Sequence, residues 1–115
     1  MLSRRLALAS GISFLATASI GQSTEIVQIA GMYDAEGMNA DGTKYKGQVA
    51  VVQNDDTVQM TWAIGTETFY GVGILEGRVL TVEWGDTTPM VYVVMENELH
   101  GIWNNGTAVE RLMLR

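Results

Sequence analysis

Three tryptophans carry the most pointed chemical signal in this chain. Trp62, Trp84 and Trp103 each close a segment of the form apolar-x-(apolar or Gly)-x-Trp: Val58-Gln59-Met60-Thr61-Trp62, Leu80-Thr81-Val82-Glu83-Trp84 and Leu99-His100-Gly101-Ile102-Trp103. They lie 22 and 19 residues apart, the length of one strand out and one strand back. Val27-x-Ile29-x-Gly31-x-Tyr33 is a fourth, weaker copy. Strands running in one direction end on the same side of a sheet, so this spacing gathers Tyr33, Trp62, Trp84 and Trp103 at one mouth. Rings so placed can stack on a flat or apolar ligand, or can plug the end as core. Both readings stay open at this stage.

The polar candidates sit in the longest predicted loop, 34–43. Asp34, Asn39 and Asp41 there form, with Tyr33, a candidate surface for a partner. Gly37-Met38-Asn39-Ala40-Asp41-Gly42 has a passing likeness to a calcium loop. Calcium wants six to eight oxygens, commonly closed by a bidentate Glu. Here Gly37 stands at the first ligand position and Gln48 at the last, so no metal is expected. An Asx-type turn, with the side chains bonding their own backbone, accounts for the same residues. His100 is the one histidine and has neither a second His nor a Cys to share an ion. The acid pairs Asp34/Glu36, Asp55/Asp56 and Glu96/Glu98 fall at turn signals rather than across a cleft. With no nucleophile–base pattern and no phosphate loop, the expectation is no catalytic residue, no cofactor and no enzyme.

The elements that must carry these residues are strands. After residue 21 no window shows a helical apolar stripe, whereas period-2 alternation recurs. The pattern predicts eight strands at about 25–33, 44–53, 57–64, 67–76, 79–84, 90–96, 98–103 and 108–114. Asn54-Asp55-Asp56, Glu76-Gly77-Arg78, Glu96-Asn97-Glu98 and Asn104-Asn105-Gly106 supply turn chemistry between them. Asp86-Thr87-Thr88-Pro89 is a further turn signal. Val58, Met60 and Trp62 share a face, as do Leu80, Val82 and Trp84, then Leu99 and Trp103. The expected fold is all-β, an eight-stranded up-and-down antiparallel meander closed into a small β-barrel, with a flattened β-sandwich as the alternative.

The first residues set the compartment. Arg4 and Arg5 precede a mostly small, apolar run ending in Ala16-Thr17-Ala18, the form of a cleaved export signal. The expected division is 1–18 as signal peptide and 19–115 as one domain, periplasmic or secreted. Loss of the two arginines takes the formal charge from −6 to −8. Such an acidic domain is not expected to bind nucleic acid or, once the signal is gone, membrane. The absence of cysteine rules out disulfides and thiolate metal sites.

The ordered residues resemble a group of small exported bacterial proteins, sometimes labelled fibronectin-binding-like. The carrying positions are Gly31-x-Tyr33, Gly37-x-Asn39-x-Asp41-Gly42-Thr43-x-Tyr45-x-Gly47 and Trp62-x-Ile64-Gly65. Tyr70-Gly71-Val72-Gly73-Ile74, Leu80-x-Val82-x-Trp84-Gly85, Val91-Tyr92-x-Val94, Leu99-x-Gly101-x-Trp103 and Glu110-x-Leu112 continue it to the C-terminus. The resemblance implies a fold and no activity. In architecture the chain is also similar to avidin- and lipocalin-type barrels. The leading expectation is a monomeric, non-enzymatic binding module that meets a protein partner through its loop end. The alternatives are a carrier holding a small apolar or aromatic ligand against Trp62, Trp84 and Trp103, or an inhibitor of an exported protease presenting residues 19–28.

Overall fold

The alternation along the chain becomes the inside and outside of a closed barrel. The computed structural model describes residues 25–115, so the expected signal peptide, 1–18, and the segment 19–24 lie outside the described residues. Eight strands follow in order: β1 Gly31–Met38, β2 Lys44–Asn54, β3 Thr57–Ile64, β4 Glu67–Glu76, β5 Val79–Glu83, β6 Met90–Val94, β7 Glu98–Trp103 and β8 Ala108–Leu114. Each pairs antiparallel with the next, and β1 pairs with β8 from Tyr33↔Leu114 to Met38↔Val109, which closes the barrel. Closure leaves no free sheet edge, a need made plain by an outer face that exposes Tyr70, Val72 and Ile74 on β4.

Inward positions are continuous. Val58, Met60 and Trp62 on β3, Leu80 and Val82 on β5, and Leu99 on β7 are all buried to 4 % exposure or less. Ile102, apolar but out of phase with Leu99 and Trp103, points outward and is half exposed. The tight turns 55–56 and 77–78 use the left-handed backbone that hairpins require, through Asp55 (φ 56°) and Gly77 (φ 61°). At 104–106, Asn104, Asn105 and Gly106 hold positive φ in succession.

One element departs from the sequence-based expectation. The first strand is not 25–33 but Gly31–Met38, and the loop shrinks from 34–43 to 39–43. Tyr33, Ala35 and Gly37 continue the inward alternation, while Asp34, Glu36 and Met38 face out. Ala and Gly carry too little apolar signal, and the acids between them resemble a loop. Residues 25–30 instead cross the base of the barrel. Gln53 pins them, its Oε1 accepting from Ile29 N at 2.7 Å and its Nε2 donating to Val27 O at 2.8 Å. Ile29 is buried against the core and Val27 packs on it, so this segment stoppers the base.

The two ends therefore differ. The base is filled by Tyr33, Val51, Val58, Leu75, Leu80, Leu99 and Leu112. Apart from the short turn 65–66, the opposite rim carries longer connections, 39–43, 84–89 and 104–107. There the inward residues are mainly aromatic, with Ile64, Met90 and Glu110 among them, and leave a cavity open at the rim.

Candidate functional site

A row of five residues crosses five neighbouring strands at the level where the core ends. Tyr92 on β6 pairs with Gly101 on β7, and Gly101 pairs with Glu110 on β8. Glu110 pairs with Gly37 on β1, and Gly37 pairs with Tyr45 on β2. The order Tyr–Gly–Glu–Gly–Tyr has a simple steric meaning. Each tyrosine lies across the glycine beside it and reaches the same glutamate from opposite sides. A Cβ at Gly101 would stand 2.5 Å from the Tyr92 ring, and one at Gly37 would overlap the Tyr45 ring. Trp62 reaches in from β3 with its ring edge 3.0 Å from the place a Cβ would take on Gly71.

Glu110 is the one buried charged residue among the described residues, 4 % exposed. Its Oε2 accepts from Tyr92 Oη at 2.5 Å and from Trp62 Nε1 at 3.1 Å. Its Oε1 accepts from Tyr45 Oη at 2.8 Å, and Tyr45 Oη in turn accepts from Trp103 Nε1 at 3.2 Å. Burial pushes the Glu110 carboxyl above the usual carboxylate range, and the three donors pull it partway back. The phenols respond in kind: burial, then the neighbouring Glu110 charge, raises Tyr45 and Tyr92 well above an ordinary tyrosine. Three hydrogen bonds to a charged group are worth roughly 1.5–3 kcal/mol each, which offsets part of the cost of burying the carboxylate.

Above this floor opens a cup of about 360 Å³. Its walls are Trp62, Phe69, Trp84, Trp103, Tyr45 and Met90, with Asn39, Ile64 and Glu67 toward the rim. Trp84 stands T-shaped to Trp103 (centroids 5.6 Å apart) and to Phe69 (6.3 Å), and Tyr45 packs the same way on Trp103 (6.4 Å). The β4–β5 ladder ends at Val72↔Glu83, which frees Trp84 to turn into the mouth. Its Nε1 is buried with no partner among the described residues, a position that normally costs about 1–3 kcal/mol. Small-ligand sites have this make-up: a concave apolar wall of a few hundred Å³ and a few convergent polar groups.

The residues singled out in the sequence separate into two groups. Trp62, Trp84 and Trp103 come together in the cup, and Asn39 joins them. Tyr33 does not. It is buried at the opposite end, donating to Ile29 O at 2.8 Å, because its strand starts there rather than ending there. Asp34 is on the outer face of β1, paired with Arg115 Nε at 3.0 Å. Asp41 is exposed and accepts from Thr43 N (3.0 Å) and Thr43 Oγ1 (2.7 Å), the Asx turn expected of it. Those bonds hold its carboxyl below the usual range. His100 sits outside the barrel beside Glu98, 2.7 Å away.

Sequence reasoning missed Glu110, Tyr45, Tyr92 and Phe69 as site residues. Strand β8 reads Ala108-Val109-Glu110-Arg111-Leu112-Met113-Leu114, with one charge on each face, so alternation alone does not say which points in. The signal was in the partners. A glutamate whose neighbours on both flanking strands are glycines has room to be reached by tyrosines one strand further on. Comparison of the chain with protein-family models, with curated proteins and with solved structures returned no match.

Proposed function

We propose that this protein is an exported small-molecule binding module, a carrier that takes its ligand into the cup at the rim of the barrel. The observation that carries the reading is the division of the interior. The lower half is packed with side chains, while the upper half is an open, tryptophan-lined cavity of about 360 Å³ over a hydrogen-bonded glutamate. An eight-stranded barrel is wide enough either to fill itself or to hold one small ligand, and this one does each in a different half. A protein partner docking on the rim is the competing reading. The 39–43 turn supports it less well, since Asn39, Asp41 and Thr43 spend their hydrogen bonds on one another.

The test is native mass spectrometry of the domain exported by a bacterial host, with tryptophan fluorescence recorded on the same sample. A retained mass that leaves on denaturation and is lost in Trp103→Ala supports a carrier. A clean polypeptide mass, with fluorescence unmoved by any small apolar, polar or charged probe, removes the proposal.

A further inference from the structure

Among the described residues, the charged groups that line the cup are Glu110 at the floor and Glu67 at the rim, and no Lys, Arg or His lines it. Arg111 and Lys44, close in sequence or register to the Tyr–Gly–Glu–Gly–Tyr row, are exposed on the outer face. Buried charges in proteins are paired with opposite charges, and Glu110 has only neutral donors. Above it the wall is built from indole and phenyl rings, whose faces carry the negative end of the ring quadrupole. The chain as a whole is acidic, with formal charge −6. Carboxylate, ring faces and overall field thus have one sign. A calcium or magnesium ion fits poorly, because it asks for six or more oxygen ligands and these walls are apolar. An organic ammonium ion fits both the charge and the walls.

We propose that the cup selects small organic cations, seating an ammonium head among Trp62, Trp84 and Trp103 above Glu110. This rests on the reading of the cup as a ligand site and adds the class of ligand. A cation over aromatic rings gains from each ring face, and more once water is excluded. The Glu110 charge adds an attraction that a neutral ligand of the same shape does not feel. Binding also depends on pH. The titratable groups facing Glu110 are Tyr45 on β2 and Tyr92 on β6, with Glu67 on β4 at the same cup. The two phenols stay neutral across the working range, so cation affinity falls as acid protonates Glu110.

Three probes of nearly one shape separate the possibilities: choline, its carbon isostere tert-butylethanol, and the anion tert-butylacetate. Titrated against the chain by tryptophan fluorescence and calorimetry at neutral pH, choline is expected to bind about tenfold or more tighter than the alcohol, and the anion weakest. Glu110→Gln is expected to weaken choline more than the alcohol and so narrow the preference, the ring faces keeping part of it. Should that variant fail to fold, Glu67→Gln at the exposed rim and the acid end of a wild-type pH series read the same charge dependence. Equal binding of choline and the alcohol, or tighter binding of the anion, overturns the cation inference and leaves the ligand-binding reading standing. Binding of none of the three, together with a clean native mass, removes both.

Discussion

Replacing Tyr92 by Phe isolates what holds Glu110 inside the barrel. The ring keeps its seat across Gly101, so packing is preserved, and only the hydroxyl that donates to Oε2 at 2.5 Å is lost. Oε2 then retains Trp62 Nε1 alone, and Oε1 retains Tyr45. With Glu110 ionised the lost bond is one to a charged group, about 1.5–3 kcal/mol; with Glu110 protonated it is a neutral bond, about 0.5–1.5 kcal/mol. The sign follows from the direction of the shift. Glu110 is raised in the folded state, so its protonated form favours folding; that contribution is complete below the unfolded carboxyl pKa and is lost as pH rises through the folded value. Removing a donor raises the folded pKa further, so the loss in stability grows with pH. Thermal and urea unfolding of wild type and Tyr92→Phe at about pH 8 and about pH 4 measure it. The expected loss is roughly 2 kcal/mol at the higher pH, or about 8–16 °C in melting temperature for a domain of this size, and about half that or less in acid. An equal loss at both pH values would refute a carboxylate sustained by these donors, and a loss under about 0.5 kcal/mol would refute the hydrogen bond itself.

Three further outcomes follow from the same geometry. Gly101→Ala and Gly37→Ala, whose new methyl groups run into the Tyr92 and Tyr45 rings, are each expected to cost about 1–3 kcal/mol in urea unfolding, whereas Gly42→Ala meets no atom and is strained only by its φ of 90°. Tyr33→Phe is expected to lower stability by about 1 kcal/mol through its bond to Ile29 O while leaving probe binding in the cup unchanged, since it lies at the opposite end. Asp41→Ala, on the exposed turn, is expected to change stability by no more than about 1 kcal/mol and probe affinity not at all; a large loss of affinity would move the binding surface onto the 39–43 turn.

Much of the fold was legible because its cues were redundant. Strands β2 to β8 each combine period-2 alternation with a recognisable turn, so that Asn-Gly at 105–106 or Gly77 marks where the chain reverses even when an end residue is uncertain. β1 lacked that redundancy. Its inward residues shrink from Tyr33 to Ala35 to Gly37 because the tyrosine of the next strand lies over it, and small residues leave no hydrophobic signal. The site was legible in its apolar half only. Three tryptophans at equal strand positions must meet at one rim, and they do. Glu110 was hidden because the residue that makes its burial tolerable is not beside it in sequence: Tyr45 is 65 positions away and Trp62 is 48. A buried charge is specified by its partners across the sheet, and those become visible only once the register is known.

The most direct test of the cup as the ligand site follows the three indole N–H resonances of the domain by nuclear magnetic resonance during titration with choline. Saturating shifts of the Trp84 and Trp103 signals, with backbone signals of the outward strip Tyr70, Val72 and Ile74 unmoved, are the predicted result. Still indoles with shifts confined to that outer strip would contradict the account.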